Sequence, residues 1–190
     1  MYRIIKEWEA EQTGTLVLGR LGFENAYALA MPREKAVFGE FNSIADLGAR
    51  GKGMTMGGDP EWFERPEWAA VRDAYGLEFR QRNFAPTFMY DALKSGEADV
   101  ISAYTSDGRI AADNLVILAD PKGALPSYDA MVMLSPQRSG DARLKAAIAP
   151  LLGKIDVELM RKANLAVDRS DERKMAPDEA AAMIAERLGL

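Results

Sequence analysis

Hydrophobic positions along this chain follow two rhythms, and the changes between them mark the elements. Over residues 2–12, Ile4, Ile5 and Trp8 fall at helical spacing and Thr13-Gly14-Thr15 supplies the stop, so the pattern predicts an N-terminal helix. Leu16-Val17-Leu18 begins an extended segment. After Gly19-Arg20-Leu21-Gly22, a second extended run from Phe23 to Met31 is closed by Pro32, which has no N–H to offer a ladder. Strand side chains alternate, so Asn25 and Tyr27 fall on one face of that run and Ala26 and Ala28 on the other. Residues 42–47 read as a short helix capped by Ser43, and residues 51–60 as a short strand opening into Gly57-Gly58-Asp59, with Asp59 as the next cap. Trp68, Val71 and Tyr75 recur at helical spacing and predict a core stripe.

Further on, Leu77–Arg80 predicts a brief strand and Thr87–Lys94 a helix, which Gly96 stops. Val100-Ile101 then reads as a buried strand opening into Tyr104-Thr105-Ser106-Asp107-Gly108. Residues 114–120 and 130–134 predict two more strands, and residues 144–152, 156–163 and 177–188 a tail of three helices. Pro177-Asp178-Glu179 gives the last of these a good start, with Pro in the first turn and acids against the helix dipole. Strands alternating with helices, followed by a helical tail, predict an α/β fold with a mostly parallel sheet. Ligands of such sheets sit at the carboxyl ends of strands, which is where Tyr104 stands. A partly buried tyrosine beside an Asp-Gly turn accounts for the same letters. Tyr27 is likewise either a cross-strand packing residue or a ligand contact. Arg65 lies between two helix starts near the glycine turn, as a guanidinium reaching a carboxylate or as a solvated charge.

Composition narrows the chemistry. The chain has 190 residues, 48% of them apolar and 28% charged, enough for one large domain or two small lobes. It contains no cysteine and no histidine, which removes thiol nucleophiles, disulfides, Cys/His zinc sites and histidine bases together. No cofactor is implied. An enzyme would be left with Asp107, Arg109 and Arg65 acting on a small carboxylate substrate. A net charge of −5 and no basic run give no support for a nucleic-acid partner. The turn at Gly57-Gly58 matches neither the P-loop nor the dinucleotide fingerprint. Met1 to Glu9 is charged and amphipathic, without a secretory pattern, although the absence of cysteine suits an oxidising compartment.

Four stretches in order carry a resemblance: Leu21–Met31, Gly58–Arg65, Gly96–Ile110 and Pro126–Ala130. Together they resemble the substrate-binding proteins of ABC importers for glycine betaine, choline, carnitine and related quaternary amines. The resemblance continues through Ile155–Asp168. It implies a periplasmic-binding-protein type II-like fold, with two lobes joined by crossing strands and closing around the ligand. On that scheme residues 1–22 are a helix and crossing segment of an incomplete first lobe. Residues 23–122 are the second α/β lobe, and residues 123–190 the return crossing and the helical tail. The segment with which those proteins begin their first lobe is expected to be missing, leaving an apolar surface open to self-association.

The resemblance also implies the site. A trimethylammonium group has no N–H to donate and stays charged at every pH, so it is best desolvated against the negative faces of aromatic rings. Tyr27, Tyr104 and Tyr128 match the family's aromatic positions, and Arg65 the arginine that takes the ligand carboxylate. Asn25 and Thr105, beside two of these tyrosines, complete the expected ligand-binding set. Ala26 stands where many members have threonine, and Asp129 where many have a second aromatic. The implied partners are a small quaternary amine and an ABC permease, at the periplasmic or extracellular face of a membrane, without catalysis. The alternative is a sensing or interaction domain that has lost transport binding.

Overall fold

Residues 2–190 are described by a computed structural model, and the periodic segments become its elements. In chain order, helix α1 (Tyr2–Gln12) leads into strand β1 (Leu16–Glu24), and β2 (Tyr27–Pro32) starts after a break at Asn25-Ala26. Helices α2 (Arg33–Phe38) and α3 (Ile44–Arg50) precede β3 (Thr55–Gly58), α4 (Pro60–Glu64) and α5 (Pro66–Tyr75). Then come β4 (Arg80–Asn83), α6 (Met89–Ser95), β5 (Val100–Tyr104), α7 (Arg109–Ala112), β6 (Leu115–Ile117) and β7 (Asp129–Leu134). The tail holds α8 (Ala142–Ile148), a 3-10 turn (Ala149–Leu151), α9 (Val157–Asp168) and α10 (Pro177–Leu188). The chain divides into two units, one of Ala26–Ser127, the other of Met1–Asn25 with Tyr128–Leu190.

The unit Ala26–Ser127 is built on a five-stranded sheet in the order β4-β3-β5-β2-β6. Strand β3 runs parallel to β4 and β5, whereas β2 is antiparallel to both β5 and β6. The expected mostly parallel sheet is therefore mixed. Helical crossovers keep β3, β4, β5 and β6 in one direction, and only β2 opposes them, from a place between β5 and β6. Periodicity reports which residues are extended; it does not report direction.

Both faces of this sheet are covered, as the period of two requires. Leu29 and Met31 of β2 and Val100 of β5 pack with Ile44, Leu47, Trp62, Trp68, Val71 and Tyr75. Ala30, Ile101 and Ala103 face the other way, onto Met89, Tyr90, Leu93 and Ile110. The stripe Trp68, Val71, Tyr75 is buried as expected. Tyr75 also has a polar end: its hydroxyl donates to Asp120 and accepts from the Lys122 N–H at 2.7 Å, tying the segment after β6 to α5. The caps stand where they were expected. Asp46 accepts from the Ser43 N–H at 2.9 Å, and Asp59 from the Trp62 N–H at 2.8 Å.

Helices α3 and α5 approach so closely that a Cβ on Gly48 would lie 2.2 Å from the Tyr75 carbonyl oxygen. Backbone cannot yield as a side chain can. Gly48→Ala is expected to cost about 1–3 kcal/mol of stability, read as a shift in the urea midpoint, and an unchanged midpoint would show that the helices slide apart freely.

In the other unit β1 and β7 form a two-stranded antiparallel sheet, with Leu16 opposite Leu134 and register shifts between Val17 and Gly19 and between Arg20 and Glu24. Gly22 has φ +123°, and a Cβ there would sit 2.8 Å from the Ile155 carbonyl oxygen, so β1 needs glycine at this point. Few large side chains of the unit are buried; Val17, Leu134 and Ile155 are. On α1, Ile4 is 62% and Trp8 55% exposed. Among the described residues no helix is long and apolar enough to cross a membrane.

Two expectations shift position. The run Phe23–Met31 is two strands in two sheets, so Asn25 does not share a ladder face with Tyr27. The strand expected at Leu77–Arg80 begins at Arg80: Leu77 is a core residue ahead of it, and β4 is an edge strand exposed throughout.

Candidate functional site

Strands β2 and β5 pair with Tyr27 directly opposite Tyr104, at the carboxyl end of β5. Opposed residues of an antiparallel pair project to the same face, so the register alone brings the two rings together. Their centroids are 4.8 Å apart at 34°, and the Tyr104 hydroxyl donates to that of Tyr27 at 3.0 Å. Behind Tyr27 lies Trp62, fully buried, with its centroid 4.9 Å away. Burial above all pushes the Tyr27 phenol well above its ordinary pKa, so it remains neutral. Tyr104 is 41% exposed and presents its ring outward.

Arg65 stands at the junction of α4 and α5, its guanidinium carbon 5.1 Å from the centre of the Tyr27 ring. Two carboxylates hold it. Nη1 donates to Glu61 at 2.5 Å, and Nε and Nη2 take the two oxygens of buried Glu67 at 3.3 and 3.4 Å. Thr105 clamps backbone: its Oγ1 accepts from the Ala26 N–H at 3.0 Å while its own N–H donates to the Ala26 carbonyl at 2.9 Å. The expected set is thus split. Tyr27, Arg65, Tyr104 and Thr105 share the unit Ala26–Ser127, where Tyr27 touches both Tyr104 and Arg65. Asn25 and Tyr128 belong to the other, where the Asn25 N–H donates to the Tyr128 carbonyl at 3.1 Å.

A concavity of about 380 Å³ opens beside the tyrosine pair, with Tyr27, Tyr104, Glu61, Met89, Tyr90 and Arg109 among its walls. Tyr90 received no role from the sequence. Its hydroxyl donates to Asp107 at 2.6 Å, and burial together with that bond raises its pKa far above the usual phenol range. Burial pushes the Asp107 carboxyl up, but the hydrogen bonds from Arg109 and Tyr90 outweigh it, and the group stays below the ordinary carboxylate value. The pair therefore holds one charge state rather than exchanging a proton. The sequence signal was the spacing of Asp107 and Arg109 around Gly108, which fits a self-capped turn: the Arg109 N–H donates to Asp107 at 2.9 Å. Among the described residues there is no cluster of metal-ligating side chains.

An α/β unit with two phenol rings on the wall of a concavity that Asp59 and Glu61 also line has the form of a small-molecule binding site. The chain belongs to the family described as the substrate binding domain of ABC-type glycine betaine transport system, whose model matches residues 1–186. It is 33% identical over 153 residues to the carnitine transport binding protein OpuCC of Listeria monocytogenes, over 77% of this chain and 49% of that protein. It is 29% identical over 194 residues to the glycine-betaine-binding protein of Pseudomonas aeruginosa, over 93% of this chain and 62% of that one. The chain therefore spans about half to two thirds of the length of these relatives. Among solved structures it matches a glycine betaine/carnitine/choline ABC transporter protein with a TM-score of 0.88 at 26% identity, over 98% of this chain and 68% of that one. Apo YehZ from Escherichia coli, with a TM-score of 0.78 at 20% identity over 99% of this chain and 70% of that one, shares the fold. Such structures are of the periplasmic-binding-protein type II-like kind.

Proposed function

We propose that this chain binds a quaternary-amine compatible solute of the glycine betaine, choline or carnitine class for an ABC-type importer. The observation that carries the reading is the Tyr27–Tyr104 pair, two rings in contact on the wall of a concavity that also bears Asp59 and Glu61. A permanent cation gains there from the ring faces and from the carboxylates, and neither gain needs a donor on the ligand. Tyr128 as a third ring and Asn25 as a neighbour enter on the family resemblance. Thr105 contributes by fixing the backbone between Ala26 and Tyr104. Residues 23–122 form the second lobe of such a protein, and residues 1–22 and 123–190 are parts of its first. The partners are the solute and a permease, at the periplasmic or extracellular face of a membrane. Self-association over the exposed face of α1, around Ile4 and Trp8, belongs to the same proposal.

Titration with glycine betaine, choline and carnitine tests the reading through tryptophan emission, since Trp62 touches Tyr27 and reports on it. Silence toward all three at millimolar concentration, from folded protein, would favour a sensing domain that has lost the ligand.

Arg65 is the proposed partner of the ligand carboxylate, and the geometry says how it would be reached. Glu61 has a side chain 74% exposed and is the partner a carboxylate would displace; Glu67, only 9% exposed, stays. Because one carboxylate replaces another, the net gain is small. Arg65→Ala is expected to weaken glycine betaine roughly fivefold, about 1 kcal/mol, and choline by less than twofold, as measured by calorimetry. Equal losses would mean that Arg65 only orders Tyr27.

A further inference from the structure

Part of the concavity lies beyond the tyrosine pair, and its side chains differ in kind. Pro86 and Met89 give it an apolar stretch, Ser102 a buried hydroxyl, and Arg109 a cation. Arg109 is held in direction from two sides. Its guanidinium carbon lies 3.8 Å from the centroid of the Tyr90 ring, and Asp107 takes Nε at 3.3 Å and Nη2 at 3.1 Å. Tyr90 is buried, and its hydroxyl completes the carboxylate. A guanidinium fixed in this way loses little rotamer freedom on taking an acceptor, whereas a free surface arginine loses much.

Size points the same way. Glycine betaine has eight non-hydrogen atoms, with its carboxylate one methylene from the quaternary nitrogen. Such a molecule, seated on Tyr27 and Tyr104, leaves much of a space of about 380 Å³ unfilled.

We propose that Arg109 is a specificity-determining residue, which reads an anionic group lying several bonds from the quaternary nitrogen and so favours long zwitterions over glycine betaine and choline. The proposal rests on the tyrosine pair seating the quaternary nitrogen. Asp107 and Tyr90 act through Arg109 as positioning residues, and Met89 and Pro86 cover the methylenes between the two ends of the ligand.

Calorimetry on the full chain with three probes tests it: tetramethylammonium, glycine betaine, and γ-butyrobetaine, whose carboxylate is three methylenes from the nitrogen. Arg109→Gln is expected to weaken γ-butyrobetaine about tenfold while changing the other two by less than twofold. Arg109→Lys, which keeps the charge but not the planar fork, is expected to lose only about threefold on the same probe. Equal weakening of all three probes by Arg109→Gln would make Arg109 a lock for its turn and overturn the proposal. So would unchanged γ-butyrobetaine binding. If the glutamine variant does not fold, the lysine variant decides, and no selective loss there also overturns the proposal. Tyr104→Ala separates this from the underlying reading: it should weaken all three probes alike, and a wild-type chain that binds none of them removes both.

Discussion

Trp68→Ala is expected to cost the unit Ala26–Ser127 about 3–5 kcal/mol, the largest stability loss of any single truncation considered for this chain. Trp68 is 2% exposed and stands at the centre of a run of rings. Its centroid is 5.8 Å from that of Trp62, 5.6 Å from Phe63 in an edge contact, and 6.5 Å from Phe79 in a stacked one. Each of those rings would border the resulting cavity, and Trp62 cannot move into it without leaving Tyr27. Loss of packing should therefore reach the site, appearing as weaker ligand binding even where the variant is still folded. Urea unfolding followed by far-ultraviolet circular dichroism measures the first effect. Trp8→Ala is the control: that ring is 55% exposed, on α1 of the other unit, and its removal should change stability by less than about 0.5 kcal/mol. A loss under 1.5 kcal/mol for Trp68→Ala would mean that the cavity collapses and that the ring run does not support the site.

What the sequence showed plainly was local. The stripe of Trp68, Val71 and Tyr75, the caps at Ser43 and Asp59, the end of α1 at Thr13-Gly14 and the start of α10 at Pro177 each depend on residues within a turn or two. What it hid depends on contacts made far along the chain. The direction of β2 is set by its place between β5 and β6, and β4 is Arg-Gln-Arg-Asn, without an apolar residue to mark it. The boundary at Asn25-Ala26 divides two sheets within what reads as one extended run. Arg65 is a middle case. Its partners stand four residues before it and two after; the first is an ordinary helical spacing, but nothing in the pattern shows that Glu67 is buried. At the site, the facing of Tyr27 and Tyr104 is a register between strands 77 residues apart, and no periodicity carries a register. The resemblance supplied both positions. It did not supply Tyr90, whose hydroxyl bond to Asp107 joins α6 to the turn after β5.

Tyr104→Ala is expected to weaken every quaternary amine by about thirtyfold, about 2 kcal/mol, the value of one ring face in a site that becomes dry on binding. The ring is 41% exposed, so its loss should cost the fold little, which separates it from Tyr75 and Tyr90. Tyr75→Ala is the matched contrast: a buried tyrosine at the end of α5, packed in the core of the same unit and bonded to Asp120, whose removal should lower stability without changing selectivity among ligands. Tyr104→Phe keeps the ring face and gives up only the hydroxyl bond to Tyr27, so its loss should stay within about threefold. A neutral isostere then isolates charge from shape. 3,3-Dimethylbutanol presents the outline of choline without its charge, and if the cation is what the ring recognises, Tyr104→Ala should affect that alcohol far less than choline. Equal losses for the two would show that the ring serves as an apolar wall, and the preference for a permanent cation would then have to come from Asp59 and Glu61.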